Sequence, residues 1–179
     1  MIGCKGEMCK MIEIFTERLL IVPCSLDIAK SLIFHRKELE KRSPIIIPQD
    51  WPSSMITGIL PLYIENLEKD ESEYGWGLWM IINYAEKKII GDIYLHGKPD
   101  KRGTVNINYN MISELADTSL TYEAVDALIE WIITQTEAKK VIMECTDNNY
   151  QSIKLFEKLG MRCTKKEGEF LMWELRKAI

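Results

Sequence analysis

The chain has 179 residues, close to the size of one domain and enough to bury a core of its own. Apolar residues make up 46% and charged residues 28%, which excludes a disordered chain, and no apolar run approaches the ~20 residues that span a bilayer. A net charge of −4 speaks against a nucleic-acid binder, which carries a basic excess or stripe, and suits a protein that receives cationic amines.

In chain order, residues 1–12 read as a disordered leader without the apolar stretch of a secretory signal, and residues 13–179 as one domain. The five cysteines, Cys4, Cys9, Cys24, Cys145 and Cys163, are odd in number and widely spaced, which points to reduced thiols and a cytoplasmic location. Cys4 and Cys9 flank Glu7, but no second Cys/His pair follows, so no metal site is expected. Residues 13–24 read as a strand whose apolar part is Leu19, Ile21 and Val22. Pro23 ends it, and Ser25 is placed to cap a helix carrying Ile28, Leu32, Ile33, Arg36 and Leu39. Ser43-Pro44 breaks that helix, 45–51 is a loop, and Ser53 or Ser54 opens a second helix with Ile59, Leu62, Tyr63 and Leu67.

From Trp76 the apolar period changes to that of strands, over 76–84, 88–95 and 104–112. Ala85-Glu86-Lys87 and Gly97-Lys98-Pro99-Asp100 with Gly103 supply the turns. Helical spacing returns with Ala124, Val125, Leu128, Ile129 and Ile132, followed by a short buried strand, 141–145. Residues 150–159 form a helix with Ile153, Phe156 and Leu159 inward and Gly160 as its stop; 161–164 and 169–175 form a hairpin. This order predicts an α/β fold with a mixed, mostly antiparallel central sheet flanked by helices. The strand–helix–strand run from 104 to 145 predicts that those two strands lie parallel, joined by a right-handed crossover.

The segment Asp147-Asn148-Asn149-Tyr150-Gln151-Ser152-Ile153-Lys154-Leu155-Phe156-Glu157-Lys158-Leu159-Gly160-Met161 resembles the Asn-x-x-Ser…Glu-Lys-Leu-Gly-Phe segment of the GNAT superfamily, with Met161 for the Phe. Thr16-Glu17-Arg18-Leu19-Leu20-Ile21 resembles the opening of its branch that contains ribosomal-protein N-terminal alanine acetyltransferases. Read on its own, the first segment is also an ordinary amphipathic helix with a glycine stop. The resemblance covers nearly all of 13–176. It implies that strands 104–112 and 141–145 splay apart at their C-terminal ends around acetyl-CoA. The acetyl group would pass to an amine of a small molecule or a peptide.

In that family an Arg/Gln-x-x-Gly-x-Gly/Ala loop seats the pyrophosphate on N–H groups at the start of a helix, where unpaired donors and the helix dipole favour an anion. In register from Glu123-Ala124, this chain has Ala116-Asp117-Thr118-Ser119-Leu120-Thr121, so all three signature positions depart. Asp117 adds a carboxylate near the phosphates; at ~4 Å and an effective dielectric of ~20 one such repulsion is about 4 kcal/mol, cut by solvent. Two readings stay open. Thr118, Ser119, Leu120 and Thr121 bind phosphate through their backbone, or Asp117, Thr118 and Ser119 cap their own helix. The second makes the chain a catalytically impaired GNAT-fold protein that serves as a binding or regulatory module; the first makes it an acetyl-CoA-dependent N-acetyltransferase.

For catalysis, backbone N–H groups at Met111 or Ile112 can polarise the thioester carbonyl. On strand 104–112, Asn106, Asn108 and Asn110 alternate with Val105, Ile107, Tyr109 and Met111. Asn106 stands where relatives commonly carry a Glu, and an amide cannot accept the amine proton, so it is a candidate substrate contact only. Phe156 stands where many relatives place a phenol that assists the leaving thiolate. Ser152, one turn earlier, is the implied replacement, or it bonds its own backbone. Asn149 holds the pantetheine arm or caps its helix. Glu144 and Glu114 are candidate bases or plain surface carboxylates. His35 and His96 are isolated and form no constellation. Tyr63, Trp76 and Trp79 wall an acceptor pocket or pack in the core. The oligomeric state is left open, a homodimer included.

Overall fold

A computed structural model of the chain describes residues 12–112 and 118–177, and its strands form one eight-stranded sheet in the order β1-β2-β3-β4-β5-β6-β8-β7. The stretch expected as one strand is two: β1, Ile14–Phe15, and β2, Leu19–Pro23, paired antiparallel with each other. The turn between them is held by Thr16, whose N–H donates to the Leu19 carbonyl (2.9 Å) and whose Oγ1 accepts from the Leu19 N–H (2.9 Å). Ser25 caps α1, Leu26–Phe34, by accepting from Ile28 N at 3.3 Å. The helix then breaks at His35 (φ −141°, ψ 40°) before α2, Arg36–Arg42, where periodicity alone reads one continuous helix. The reason is a long-range tie: the Arg36 guanidinium donates to the carbonyls of Pro48 and Trp51, each at 2.7 Å. Of the two serines that could open α3, Ser54–Lys69, it is Ser53 that accepts from Ile56 N.

The middle strands are β3, Leu78–Asn83, β4, Lys88–Leu95, and β5, Thr104–Met111, all antiparallel to their neighbours up to that point. Gly91 is needed where β4 meets β5, since a Cβ there would sit 2.5 Å from the Asn110 carbonyl oxygen. Beyond 113–117, α4 is described over Thr118–Gln135 and leads to β6, Lys140–Thr146. Then come α5, Tyr150–Lys158, and the hairpin of β7, Arg162–Glu167, with β8, Phe170–Arg176. Gly160, at φ +77°, takes the left-handed position that stops α5.

β5 and β6 are the parallel pair, as the strand–helix–strand order predicts, but they pair only over Thr104↔Lys140, Val105↔Val141 and Asn106↔Ile142. From there β5 stays with β4 as far as Met111↔Gly91, while β6 stays with β8 as far as Thr146↔Phe170. The sheet therefore opens into a gap after three parallel residue pairs. Each face has its own core. Helices α4 and α5 cover Leu19, Ile21, Trp79, Ile93, Val105, Ile107 and Met143 on one face. Helices α1 and α3 cover Leu78, Met80, Ile82 and Ile89 on the other. Among the described residues no helix is long and apolar enough to cross a membrane.

Candidate active site

The backbone sets the first property of the gap. Ile112 N–H donates to the Ile90 carbonyl (3.0 Å), and Asn106 carbonyl accepts from His96 N–H (3.0 Å), so even-numbered residues of β5 turn their polar groups toward β4. Alternation then directs the N–H groups of Tyr109 and Met111 to the opposite edge, into the gap. This separates the two backbone candidates: Met111 can donate to a group in the gap, whereas the Ile112 N–H is already committed within the ladder.

Side chains close the gap on the α4–α5 face. Asn149 caps α5 by accepting from Ser152 N at 3.1 Å, so its oxygen has the capping role. That cap starts the helix so that Ser152 and Phe156, one turn apart, both face inward, at 6% and 1% exposure. The Ser152 hydroxyl lies 2.8 Å from the hydroxyl of Tyr109 on β5. Phe156 packs edge-on against Tyr109 (centroids 6.3 Å) and against Trp173 (5.8 Å). Burial pushes the Tyr109 phenol above its ordinary range, with the Ser152 hydrogen bond acting the other way and Cys145, across the gap on β6, adding to the rise. Burial also raises the buried thiol of Cys145. Two hydroxyls thus meet beside the place where β5 and β6 part, with Cys145 buried on β6. Sequence reasoning placed Tyr109 on the apolar face correctly but gave it no role; its signal was the only hydroxyl among Val105, Ile107 and Met111.

The opposite face of the gap is polar. Asn106 is exposed, and the Asn108 side-chain oxygen lies 2.7 Å from His96 Nε2. These residues, with Lys140, Ile142, Glu144 and Met172, line a concavity of about 500 Å³ over the β5–β6 seam. Glu144 is exposed within it. Asn110, the third of the stripe, hydrogen-bonds Asp92 on β4, which also accepts from Trp51 Nε1 at 2.8 Å. Asp92 is 1% exposed, and burial pushes its carboxyl up to about 6, against the opposing hydrogen bonds from Trp51 and Asn110. Sequence reasoning missed this group, although an aspartate inside Ile89-Ile90-Gly91-Asp92-Ile93 is a legible anomaly.

Other expected site residues are not brought together. Tyr63 is buried against α1 and donates its hydroxyl to the Cys24 carbonyl at 2.6 Å. Trp79 is buried in the other core, donates to the Gly75 carbonyl at 2.9 Å and packs on Trp131 (5.0 Å), as does Trp76 (6.1 Å). Tyr63 and Trp79 lie on opposite faces of the sheet, so the three make no common pocket wall; each is held by core packing. At the start of α4, Thr118 and Ser119 are exposed, Leu120 packs on the core and Thr121 is buried. The Ser119 hydroxyl accepts from Arg18 Nη1 at 3.1 Å, and Arg18 is itself ion-paired to Glu123 at 2.7 Å. Ala116, Asp117 and the base candidate Glu114 lie outside the described residues. A larger concavity, about 1100 Å³, runs between residues 12–18 and α4 past Tyr122 and Asp126, and includes none of the residues lining the gap.

A model of the acetyltransferase (GNAT) domain matches residues 18–162. A protein of Bacillus subtilis (strain 168) named as the uncharacterized N-acetyltransferase YjdG is 27% identical over 124 residues, covering 69% of this chain and 74% of that one. Among solved structures, the ribosomal-protein-S5-alanine acetyltransferase of Vibrio fischeri superposes with a TM-score of 0.64 at 16% identity, over 93% of this chain and 97% of that one. RimL, a ribosomal L7/L12 alpha-N-protein acetyltransferase in complex with coenzyme A, gives 0.66 at 12% identity, over 92% and 98%. At such identities these structures speak for the fold.

Proposed function

The chain belongs to the GNAT acetyltransferase family, and from that premise we propose that it is an acetyl-CoA-dependent N-acetyltransferase. In this reading the thioester lies in the β5–β6 gap. The acceptor, an amine on a small molecule or a peptide, reaches it from the polar face of Asn106 and Glu144. The observation that carries the reading is the gap itself: parallel pairing that stops after Asn106↔Ile142, with a hydroxyl pair at its wall.

The residues present suit the cofactor. An unpaired strand edge is a template for another chain of amides, and the free edge of β5 offers that to a pantetheine arm. In this reading the phosphates lie toward the described start of α4, where the Arg18 side chain, ion-paired to Glu123, also donates to Ser119. Bound acetyl-CoA supplies an acyl group activated as a thioester. Met111 N–H donates to the carbonyl oxygen as negative charge develops there. Ser152 donates to the sulfur as the C–S bond breaks. Glu144, or water held beside it, takes the amine proton.

Calorimetric titration with acetyl-CoA and with CoA tests the reading, followed by a screen of peptides and polyamines for release of free thiol. Saturable binding of both at micromolar to low millimolar concentration is expected. A chain that binds neither ends this proposal.

A further inference from the structure

Phe156 gives the inner face of α5 no phenol of its own, but β5 brings one against that face. Tyr109 rises from β5 and brings its hydroxyl to 2.8 Å from Ser152. Its ring packs edge-on against Phe156, at an interplanar angle of 82°. The geometry points to Tyr109 as a positioning residue for the departing thiolate, acting through Ser152. This rests on the transferase reading above.

The physical case has three parts. First, both groups sit where the strands have just separated, Tyr109 on the free edge of β5 and Ser152 on the helix that follows β6. Second, a phenol is the stronger acid of the two hydroxyls, so it donates to Ser152 Oγ and leaves the serine hydrogen to turn into the gap. Hydrogen bonds in such a chain polarise one another, so Ser152 becomes a better donor than a lone hydroxyl. Third, the phenol of Tyr109 is held above its ordinary range by burial, so it stays protonated across neutral pH and keeps the chain in one direction.

In the reaction the amine nitrogen bonds the carbonyl carbon and the C–S pair stays on sulfur. An ordinary thiol has a pKa of about 8.5 and is a stronger acid than this phenol, so the pair stabilises the thiolate by hydrogen bonding and does not surrender a proton to it. The proton lost by the amine leaves to Glu144 or water, and the thiolate is protonated from solvent.

The test compares the full-length parent, Tyr109→Phe, Ser152→Ala and the double variant, with an amine found in the acceptor screen. Loss of one donor to a developing charge costs on the order of 10²–10³ in rate at oxyanion sites, and a thiolate needs less. Each single variant is therefore expected to lose roughly tenfold to a hundredfold in kcat, with acetyl-CoA affinity unchanged. The double variant should fall no further than the worse single, because the two act as a unit. Replacing acetyl-CoA by its selenoester analogue, whose selenol is a stronger acid, should return most of the loss in each variant, which a purely structural role would not do. Turnover of Tyr109→Phe at the parent rate overturns the proposal. So does weakened cofactor binding with unchanged kcat, a multiplicative double variant, or a selenoester that restores nothing. A parent that binds no acetyl-CoA sinks the transferase reading itself; a parent that turns over while Tyr109→Phe does too sinks only this one.

Discussion

The two faces of the β4–β5 pair bury polar groups in opposite ways. On the α4–α5 face the groups are neutral, Tyr109 and Ser152, and they satisfy each other beside an open strand edge. On the α1–α3 face the group is a carboxylate, Asp92, sealed under Trp51 and Asn110. A neutral hydroxyl pair costs little to keep half-buried and does not change charge near neutrality. A carboxylate at 1% exposure can ionise only against its own desolvation. The neutral side thus keeps its charge state across neutral pH, and the charged side ties the loop carrying Trp51 to the sheet.

The largest expected effect lies on the hydroxyl side, in what supports it. Phe156→Ala removes a fully buried ring that packs on both Tyr109 and Trp173, and should cost about 3–5 kcal/mol of stability. Urea unfolding of the variant checks it, and a loss below 1 kcal/mol would mean that the ring is not part of the support.

Next comes the pH response of Asp92. Its folded-state carboxyl is raised from 3.8 to about 6, so between those values the native state holds more proton than the unfolded chain. Stability contributed by this group is therefore full below pH ~4 and is lost as pH rises through ~6, by on the order of 3 kcal/mol. Asp92→Asn keeps an acceptor for Trp51 and removes the titration. The difference in unfolding free energy between variant and parent should grow in the variant's favour from pH 4 to pH 7 and then level off. A difference that stays flat across that range would show that Asp92 is ionised in the fold at no cost.

The smallest effect is that of the hydroxyl pair on folding. Tyr109→Phe should cost about 1 kcal/mol, the net worth of one hydrogen bond, and a chain of this length should then melt roughly 2–4 °C lower. That cost should not vary between pH 4 and 7, the range over which the Asp92 contribution changes. A large or pH-dependent loss would erase the contrast between the two faces.

Local physics made much of this protein legible before any tertiary contact was known. Ser25 and Ser53 cap helices because a short side-chain oxygen can reach the first free N–H groups. Gly160 stops α5 because it tolerates positive φ, and the strand–helix–strand order from 104 to 145 makes β5 and β6 parallel. The Asn149–Ser152 segment carried the family resemblance. Only the folded chain decided the rest, because each item depends on a partner far away in sequence. The first strand becomes a hairpin, with Thr16 bonded both to Leu19 and to Glu123 on α4. The helix breaks at His35 where Arg36 takes hold of Pro48 and Trp51. Tyr63 and Trp79 part to opposite cores because neighbouring elements leave one face each to bury them. Periodicity assigns a residue to a face, but it does not say what stands across from that face. Ser152 and Tyr109 are separated by 43 positions, and their contact exists because β6 turns away from β5 and α5 folds back over the opening.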